Sequence, residues 1–360
     1  MTATRVAVNG YGVIGKRVAD AVRAMPDMVL VGVADVATDW RVRTAIGLDI
    51  PLYAATEPAG SAMRAAGVPL AGTLTDLLGA VDAVVDTTPK KVAGTNFDSY
   101  RKAGVKAIFQ GGESHALTGH SFVAQANYAT ALGRDTTRVV SCNTTSIVRV
   151  LGALQDARLL ARARGVLIRR ATDPGESHLG GVMNTVVPEQ NIPSHQGPDA
   201  RTVLPGLDVV TMAAMAAHTQ SHNHYWSLEL TRAASREEVL GALRAAPRIA
   251  FIRMADGLVA LNTTIELMRD LGRPRGDMWE VALWEDVLTV EGDEAYLTYQ
   301  VYNEAIVVPE SIDAIRALVG SITDGPTSIA MTDAALGVRQ EFLPPATPVG
   351  GPEPARTAVT

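Results

Sequence analysis

Arg5-Val6-Ala7-Val8-Asn9-Gly10-Tyr11-Gly12-Val13-Ile14-Gly15-Lys16 is a short apolar strand that runs straight into a glycine turn. A helix-spaced run, Arg17-Val-Ala-Asp-Ala-Val-Arg-Ala-Met25, follows at once. Strand, glycines and helix in that order give the G-x-G-x-x-G pattern its meaning as a dinucleotide fingerprint. Gly10 permits the tight turn, Gly12 lets backbone approach a pyrophosphate, and Gly15 lets helix and strand pack closely. A second apolar strand, Met28-Val-Leu-Val-Gly-Val-Ala, ends at Asp35, twenty residues beyond Gly15. At that spacing an acid accepts hydrogen bonds from adenosine ribose hydroxyls, and its charge repels a 2′-phosphate. NAD is therefore the expected cofactor, with NADP as the alternative; a solvated strand-end acid is the plainer reading of Asp35.

The same alternation continues outward. Val81-Asp-Ala-Val-Val-Asp86 is another strand, and its polar turn, Thr87-Thr88-Pro89, stands where turns line the cofactor crevice of an open α/β sheet. Lys90 and Lys91 read as a solvated helix start, and Tyr100 to Gly104 closes that helix. Val105-Lys-Ala-Ile-Phe-Gln-Gly111-Gly112 is a further strand whose two glycines admit close backbone approach. Strand–helix alternation predicts a parallel sheet. Beyond residue 142 the texture changes to long strand-like runs, at 207–215, 223–230, 279–284 and 295–302, with few helices between them. That pattern predicts an α+β domain with a mostly antiparallel sheet. The helical run 309–320 is expected to return to the first domain. The expected organisation is a Rossmann domain over 1–141 joined by 303–340, a catalytic domain over 142–302, and a flexible tail over 341–360.

Composition narrows the function. A mass of 38.0 kDa suits two domains, and 47% hydrophobic with 19% charged residues is the balance of a soluble protein with a real core. A net charge of −6 argues against a nucleic-acid binder, which is normally basic. No run of 18 apolar residues is present, so no membrane-spanning helix is expected. The single cysteine excludes an internal disulfide framework and suits a reducing compartment. With no leader pattern before the first strand, a cytoplasmic location is expected.

That cysteine, Cys142, sits in Val139-Val-Ser141-Cys142-Asn143-Thr144-Thr145-Ser146, where a strand gives way to a helix. Free backbone N–H groups and the positive end of the helix dipole meet there. The thiol is therefore expected to ionise below its ordinary value of about 8.5, although a lone cysteine also occurs as a small buried hydrophobe. A thiolate beside a nicotinamide site points to covalent aldehyde oxidation through a hemithioacetal and a thioester. That chemistry needs a general base, and histidine is the first candidate. His115, His120 and His178 read as solvated loop residues. His218, His222 and His224 cluster, the last two on one face of a strand and His218 two steps further along it. A metal site is the alternative for this cluster, though paired carboxylates are lacking nearby. Arg169 and Arg170 are strand neighbours, so only one is expected to face the active site; a guanidinium there suits a phosphate. His195 lies in a Pro- and Ser-rich loop.

These stretches resemble the archaeal-type (type II) glyceraldehyde-3-phosphate dehydrogenases from about residue 5 to 340. The likeness is carried by NGYGVIGKRVADAV (9–22), KAGVKAIFQGGE (102–113), VVSCNTTS (139–146) and RRATDP (169–174), then by SHQGPDARTVLPGLDVVTMA (194–213), RDLGRPRGD (269–277), WED (284–286) and VVPESIDAIRA (307–317). The resemblance implies a Rossmann domain plus an α+β catalytic domain, a homotetramer, and phosphorylating oxidation of D-glyceraldehyde 3-phosphate in glycolysis and gluconeogenesis. It makes Cys142 the nucleophile and His222 the general base. Ser141, Asn143 and Thr144 would line the substrate with Arg169, while Arg170, His195 and Gln196 would hold a phosphate or the cofactor edge. Val13 and Ile14 would sit against the dinucleotide, Thr87 and Gly111 or Gly112 near it, and Asn303 by the nicotinamide. The chain departs from the family pattern at Asp35, Ser146, Gln196, Asn303 and in the loop after Pro174. Those departures leave open a paralogue acting on another phosphorylated or phosphonylated aldehyde, a semialdehyde dehydrogenase, or a non-catalytic NAD-binding protein.

Overall fold

The computed structural model describes residues 3–110, 112–171 and 186–344. The first half alternates as the sequence predicts. In chain order it runs β1 (Thr4–Asn9), α1 (Val13–Ala24), β2 (Met28–Asp35), α2 (Trp40–Gly47), β3 (Leu52–Ala54), α3 (Glu57–Ala65), β4 (Gly72–Thr73) and α4 (Leu74–Leu78). It continues through β5 (Ala83–Asp86), α5 (Ala93–Ala103), β6 (Lys106–Phe109), α6 (His115–Thr118), β7 (Ser121–Phe122), α7 (Ala124–Ala131) and β8 (Thr136–Val139). The eight strands form one parallel sheet in the order β4-β3-β2-β1-β5-β6-β8-β7. Both faces of this sheet are covered. Val6 and Val8 of β1 face one apolar cluster and Ala7 faces another, which is why the strands read as nearly continuous apolar runs.

The second half opens with α8 (Cys142–Asp156) and β9 (Leu160–Arg170). It proceeds through β10 (Val186–Pro188), α9 (Gln196–Ala200), β11 (Val209–Ala216), β12 (His222–Leu230), α10 (Arg236–Ala245), β13 (Ile249–Ile252), α11 (Leu261–Asp270), β14 (Val281–Trp284), β15 (Thr289–Glu291) and β16 (Glu294–Val301). The chain then returns through α12 (Val308–Val319) and α13 (Gly325–Leu336). These strands make a mixed sheet in the order β10-β11-β9-β12-β16-β14-β13, with β15 against β16. Two of its pairings, β11 with β9 and β13 with β14, are parallel; the others are antiparallel. The inner face buries Ala163, Leu167, His224 and Trp226, while Arg164, Val166 and Tyr225 alternate outward.

Helix α8 lies between the halves. Every residue from Asn143 to Leu154 is buried, as expected of a helix covered on all sides. Arg149 is the largest of these side chains, and it cannot be buried unpaired. Its Nε and Nη2 donate to Glu310 Oε1 at 3.1 and 2.5 Å, and Nη1 donates to the Trp279 carbonyl at 2.7 Å. Glu310, on α12, also accepts Arg248 Nη1 at 3.1 Å and the Ala124 N–H at 2.6 Å. Arg248 in turn meets Asp313 and Asp333, each at 2.6 Å. Burial pushes the Glu310 carboxyl up, but Arg149, Arg248 and the Ala124 N–H together hold it below its ordinary value.

Two histidines differ from the sequence reading. His120 is not solvated; it is buried, with Nδ1 at 2.7 Å from Thr137 Oγ1 and Nε2 at 2.8 Å from Thr130 Oγ1. His218 does not extend the β12 strand, because Ser221 adopts φ +62° and turns the chain before His222. His178 lies outside the described residues. At the C-terminal side, Glu341 bridges to Phe251 and Phe342 is buried; 345–360, the bulk of the expected tail, lie outside the described residues.

Glu310→Gln leaves two buried guanidiniums short of one anion. It should destabilise the fold by about 3–5 kcal/mol, read as a fall in the denaturant midpoint at neutral pH. A shift too small to measure would show that the cluster is not what joins α8 to α12.

Candidate active site

The strand-to-helix junction at residues 139–146 forms because Ser141 caps α8. Its Oγ accepts the Thr144 N–H at 3.3 Å. Cys142 thus becomes the first helical residue and stays half-buried. The expectation of an easily ionised thiol needs correcting. Burial pushes the Cys142 thiol above its ordinary value, against the Arg170 charge, the Asn143 N–H and Arg169, which pull it down. The helix start does pull the thiol down, through the Asn143 N–H, but tertiary burial outweighs that pull.

His222 opens β12, two residues before His224, whose ring meets Asn143 of the cysteine turn. Its Nδ1 accepts the Arg170 backbone N–H at 3.1 Å, so the neutral ring carries its proton on Nε2. Burial first, then His224 and Arg170, hold its pKa well below the ordinary value, which keeps it neutral near pH 7. The Arg170 charge acts on both Cys142 and His222. Arg169 shares the strand face of Leu167 and His224 by alternation, and its guanidinium pairs with Glu189. Its charge also reaches Cys142 and His222. The structure therefore sets both arginines within electrostatic reach of the cysteine, where the sequence reading placed only one.

The remaining expected substrate groups divide into two sets. His195 precedes α9, is exposed, and has Nδ1 3.6 Å from Glu189. Gln196 beside it is fully buried, and among the described residues neither end of its amide has a partner. Thr144, expected to line the substrate, is sealed from solvent. Its hydroxyl donates to Asp199 Oδ2 at 2.9 Å and lies 2.9 Å from Ser141 Oγ. Asp199 is paired in turn with Arg138. That chain fastens α9, and with it His195 and Gln196, to the cysteine turn. Asp199 carried a signal in the Gly197-Pro198-Asp199 motif that composition alone does not interpret; Arg138 carried none.

The dinucleotide residues form a cradle at the C-terminal ends of β1, β2 and β5. Gly10 has φ +97°, and a Cβ on Gly15 would lie 1.8 Å from the Gly10 carbonyl oxygen. Gly12 precedes Val13 and Ile14 at the start of α1, faces open space, and caps the helix with no side chain. The first N–H groups of α1 are thus available to a phosphate. Thr87 Oγ1 donates to the Gly10 carbonyl at 2.5 Å and closes the turn. Asp35 accepts Tyr11 N–H on one oxygen at 2.6 Å, and Val36 and Ala37 N–H on the other at 2.7 and 2.8 Å. Its carboxylate is fixed at the strand end. Gly112 has φ +76°, and Gly111 lies outside the described residues. Asn303 is buried with Oδ1 unpartnered among the described residues. Its neighbour Glu304 pairs with Arg17 of α1 at 2.7 Å, which carries Asn303 to the cofactor helix. An open helix start, a fixed ribose-type acceptor and an orphaned buried carbonyl fit a nicotinamide dinucleotide. Among the described residues no group of three or more His, Cys, Asp or Glu could hold a metal ion, and no helix is long and apolar enough to cross a membrane.

Comparison with known proteins gives the chain's relatives. A family model described as glyceraldehyde 3-phosphate dehydrogenase, C-terminal domain, matches residues 141–271. The chain is 43% identical over 339 residues to the glyceraldehyde-3-phosphate dehydrogenase of Methanococcoides burtonii, spanning 94% of this chain and 100% of that one. It is 42% identical over 337 residues to the protein of the same name from Methanobrevibacter smithii, spanning 92% and 99%. With that of Methanothermobacter thermautotrophicus it shares 40% over 334 residues, again spanning 92% and 99%.

The charge balance at Cys142 can be read by alkylation. In the ligand-free protein the rate of reaction with iodoacetamide should climb with a midpoint above the free-cysteine value of about 8.5. Arg170→Met should move that midpoint higher. A midpoint below the free value would overturn the ordering of burial over charge.

Proposed function

The chain belongs to the glyceraldehyde-3-phosphate dehydrogenase family, and on that premise we propose that it oxidises D-glyceraldehyde 3-phosphate to 1,3-bisphosphoglycerate, with inorganic phosphate and NAD. The observation that carries this reading is Cys142 at the start of α8 with the Arg170 charge acting on both it and His222. The Cys142 sulfur attacks the aldehyde carbon, a C–S bond forms, and the thiol proton ends on the new hydroxyl of a hemithioacetal. His222, neutral at pH 7, takes that hydroxyl proton as the carbon is oxidised. Either way of accepting it requires the Arg170 N–H to release Nδ1. The bound nicotinamide supplies the hydride acceptor. The resulting thioester on Cys142 is cleaved by phosphate, which leaves as the acyl phosphate and restores the thiolate. Arg169, Arg170, His195 and Gln196 supply the anion-binding side of the cleft, and Ser141 and Asn143 the side next to the sulfur. Gly10, Gly12, Val13, Ile14, Gly15, Thr87 and Asn303 hold the dinucleotide.

The fixed Asp35 carboxylate favours NAD over NADP by repelling a 2′-phosphate. The outer face of the second sheet supports a homotetramer. Val166, Met212, Tyr225 and Tyr296 stand exposed on it, an apolar surface of the kind a second copy covers. The lone cysteine supports a reducing, cytoplasmic setting. A second reading, oxidation of a different phosphorylated aldehyde, is favoured by Gln196, a buried amide with no protein partner at the anion side.

Purified protein with glyceraldehyde 3-phosphate, phosphate and NAD⁺ should form NADH. Cys142→Ser should abolish that turnover yet still bind NAD⁺; retained turnover would remove the covalent route. In the wild type, kcat/KM should be greater with NAD⁺ than with NADP⁺. The reverse order would refute the reading of Asp35, and faster turnover on another phosphorylated aldehyde would select the second reading.

A further inference from the structure

His224 has no part in the scheme above, yet it is fully buried within reach of the cysteine turn. Its Nε2 lies 2.8 Å from Asn143 Oδ1, and its Nδ1 lies 3.0 Å from the Tyr299 hydroxyl. The proton positions follow from chemistry. An amide oxygen only accepts, so Nε2 must carry the hydrogen. Burial drives the His224 pKa down to about 3, so the ring is neutral and Nδ1 has a lone pair. The Tyr299 O–H therefore donates to Nδ1. With the amide oxygen as the acceptor, the chain Tyr299–His224–Asn143 runs in one direction.

This chain fixes an otherwise ambiguous group. Asn143 directly follows Cys142 on α8, and a free asparagine amide can present either its oxygen or its NH2. With Oδ1 held by a ring inside the core, Nδ2 is the end left over. Among the described residues no hydrogen bond engages it, whereas Oδ1 is taken by His224. We infer that His224 is a positioning residue that locks the Asn143 amide with its NH2 toward the cleft, as a donor to the carbonyl oxygen of the group attacked by Cys142. The inference rests on the covalent role of Cys142 given above. As sulfur adds to a carbonyl, charge develops on that oxygen, and a preset donor stabilises it more than the starting carbonyl. A reversed amide would set a lone pair against the same charge.

p-Nitrophenyl acetate tests this without the natural aldehyde or cofactor. The Cys142 thiolate attacks the ester carbonyl, the C–S bond forms, and the C–O bond to p-nitrophenolate breaks, giving one coloured equivalent per reactive thiol. Cys142→Ser should lose this burst; a burst that survives would remove both the covalent reading and the inference. Asn143→Ala should slow the burst rate constant about 100-fold, with the half-saturating ester concentration unchanged. His224→Leu should slow it in the same sense, and His224→Gln, which restores an N–H donor, should recover most of the loss. Should His224→Leu not fold, Tyr299→Phe removes the donor to Nδ1 at nearly constant volume and should also slow the burst. The deciding result is the double variant, Asn143→Ala with His224→Leu or with Tyr299→Phe. It should be no slower than Asn143→Ala alone, because the histidine acts only through the amide. Additive losses with a Cys142-dependent burst intact would overturn the inference and leave the proposed function standing.

Discussion

One buried carboxylate holds the architecture in register. Glu310 lies at a point where the cysteine helix, the loop into β13, and the start of α7 all present donors to it. Each partner comes from a different part of the chain, and the two guanidiniums could not be buried without an anion. The position of Cys142 depends on this arrangement, since α8 is clasped by Arg149 one side-chain length inside the joint. The cofactor helix is set by a second knot of the same kind, Arg17 with Asp277 and Glu304, at 2.7 Å each. Sulfur and nicotinamide site are thus placed by two buried charge clusters, while the apolar core fills the space between them.

The sequence made the first domain legible because its rules are local. A strand, a glycine turn and a helix occupy consecutive residues, and the spacing from Gly15 to Asp35 is a property of one βαβ unit. The short strands Leu52–Ala54 and Gly72–Thr73 escaped notice for the opposite reason. With two or three residues they show no period; Leu52–Ala54 forms against the edge of β2, and Gly72–Thr73 against Leu52–Ala54 in turn. The mixed sheet was expected in outline. Its two parallel pairings were not, since strand direction depends on connections that periodicity does not encode.

At the site, residue identity was legible and environment was not. The motif around Cys142 marked it as the candidate nucleophile, but the sign of its pKa shift depends on burial supplied by remote elements. His120 was read as solvated because its partners, Thr137 and Thr130, lie 17 and 10 residues away. Thr144 carries a hydroxyl beside the cysteine, which invites a substrate role; its commitment to Asp199 is a tertiary fact. Likewise His222 and His224 are chemically alike and two residues apart on one strand face. Only the structure distinguishes a ring that meets the Arg170 backbone from one that orients an amide.

The late position of Glu310 also has a meaning in time. Translation is vectorial, so Arg149 and Arg248 leave the ribosome well before the one carboxylate that neutralises both. Until helix Val308–Val319 has been made, the cysteine helix lacks the carboxylate that neutralises its arginine, and the first sheet lacks one of the helices that pack on it. Neither half can complete its core as it is synthesised, however regular its local pattern. Completing either core therefore waits on a contact between Arg149 and Glu310, 161 positions apart along the chain.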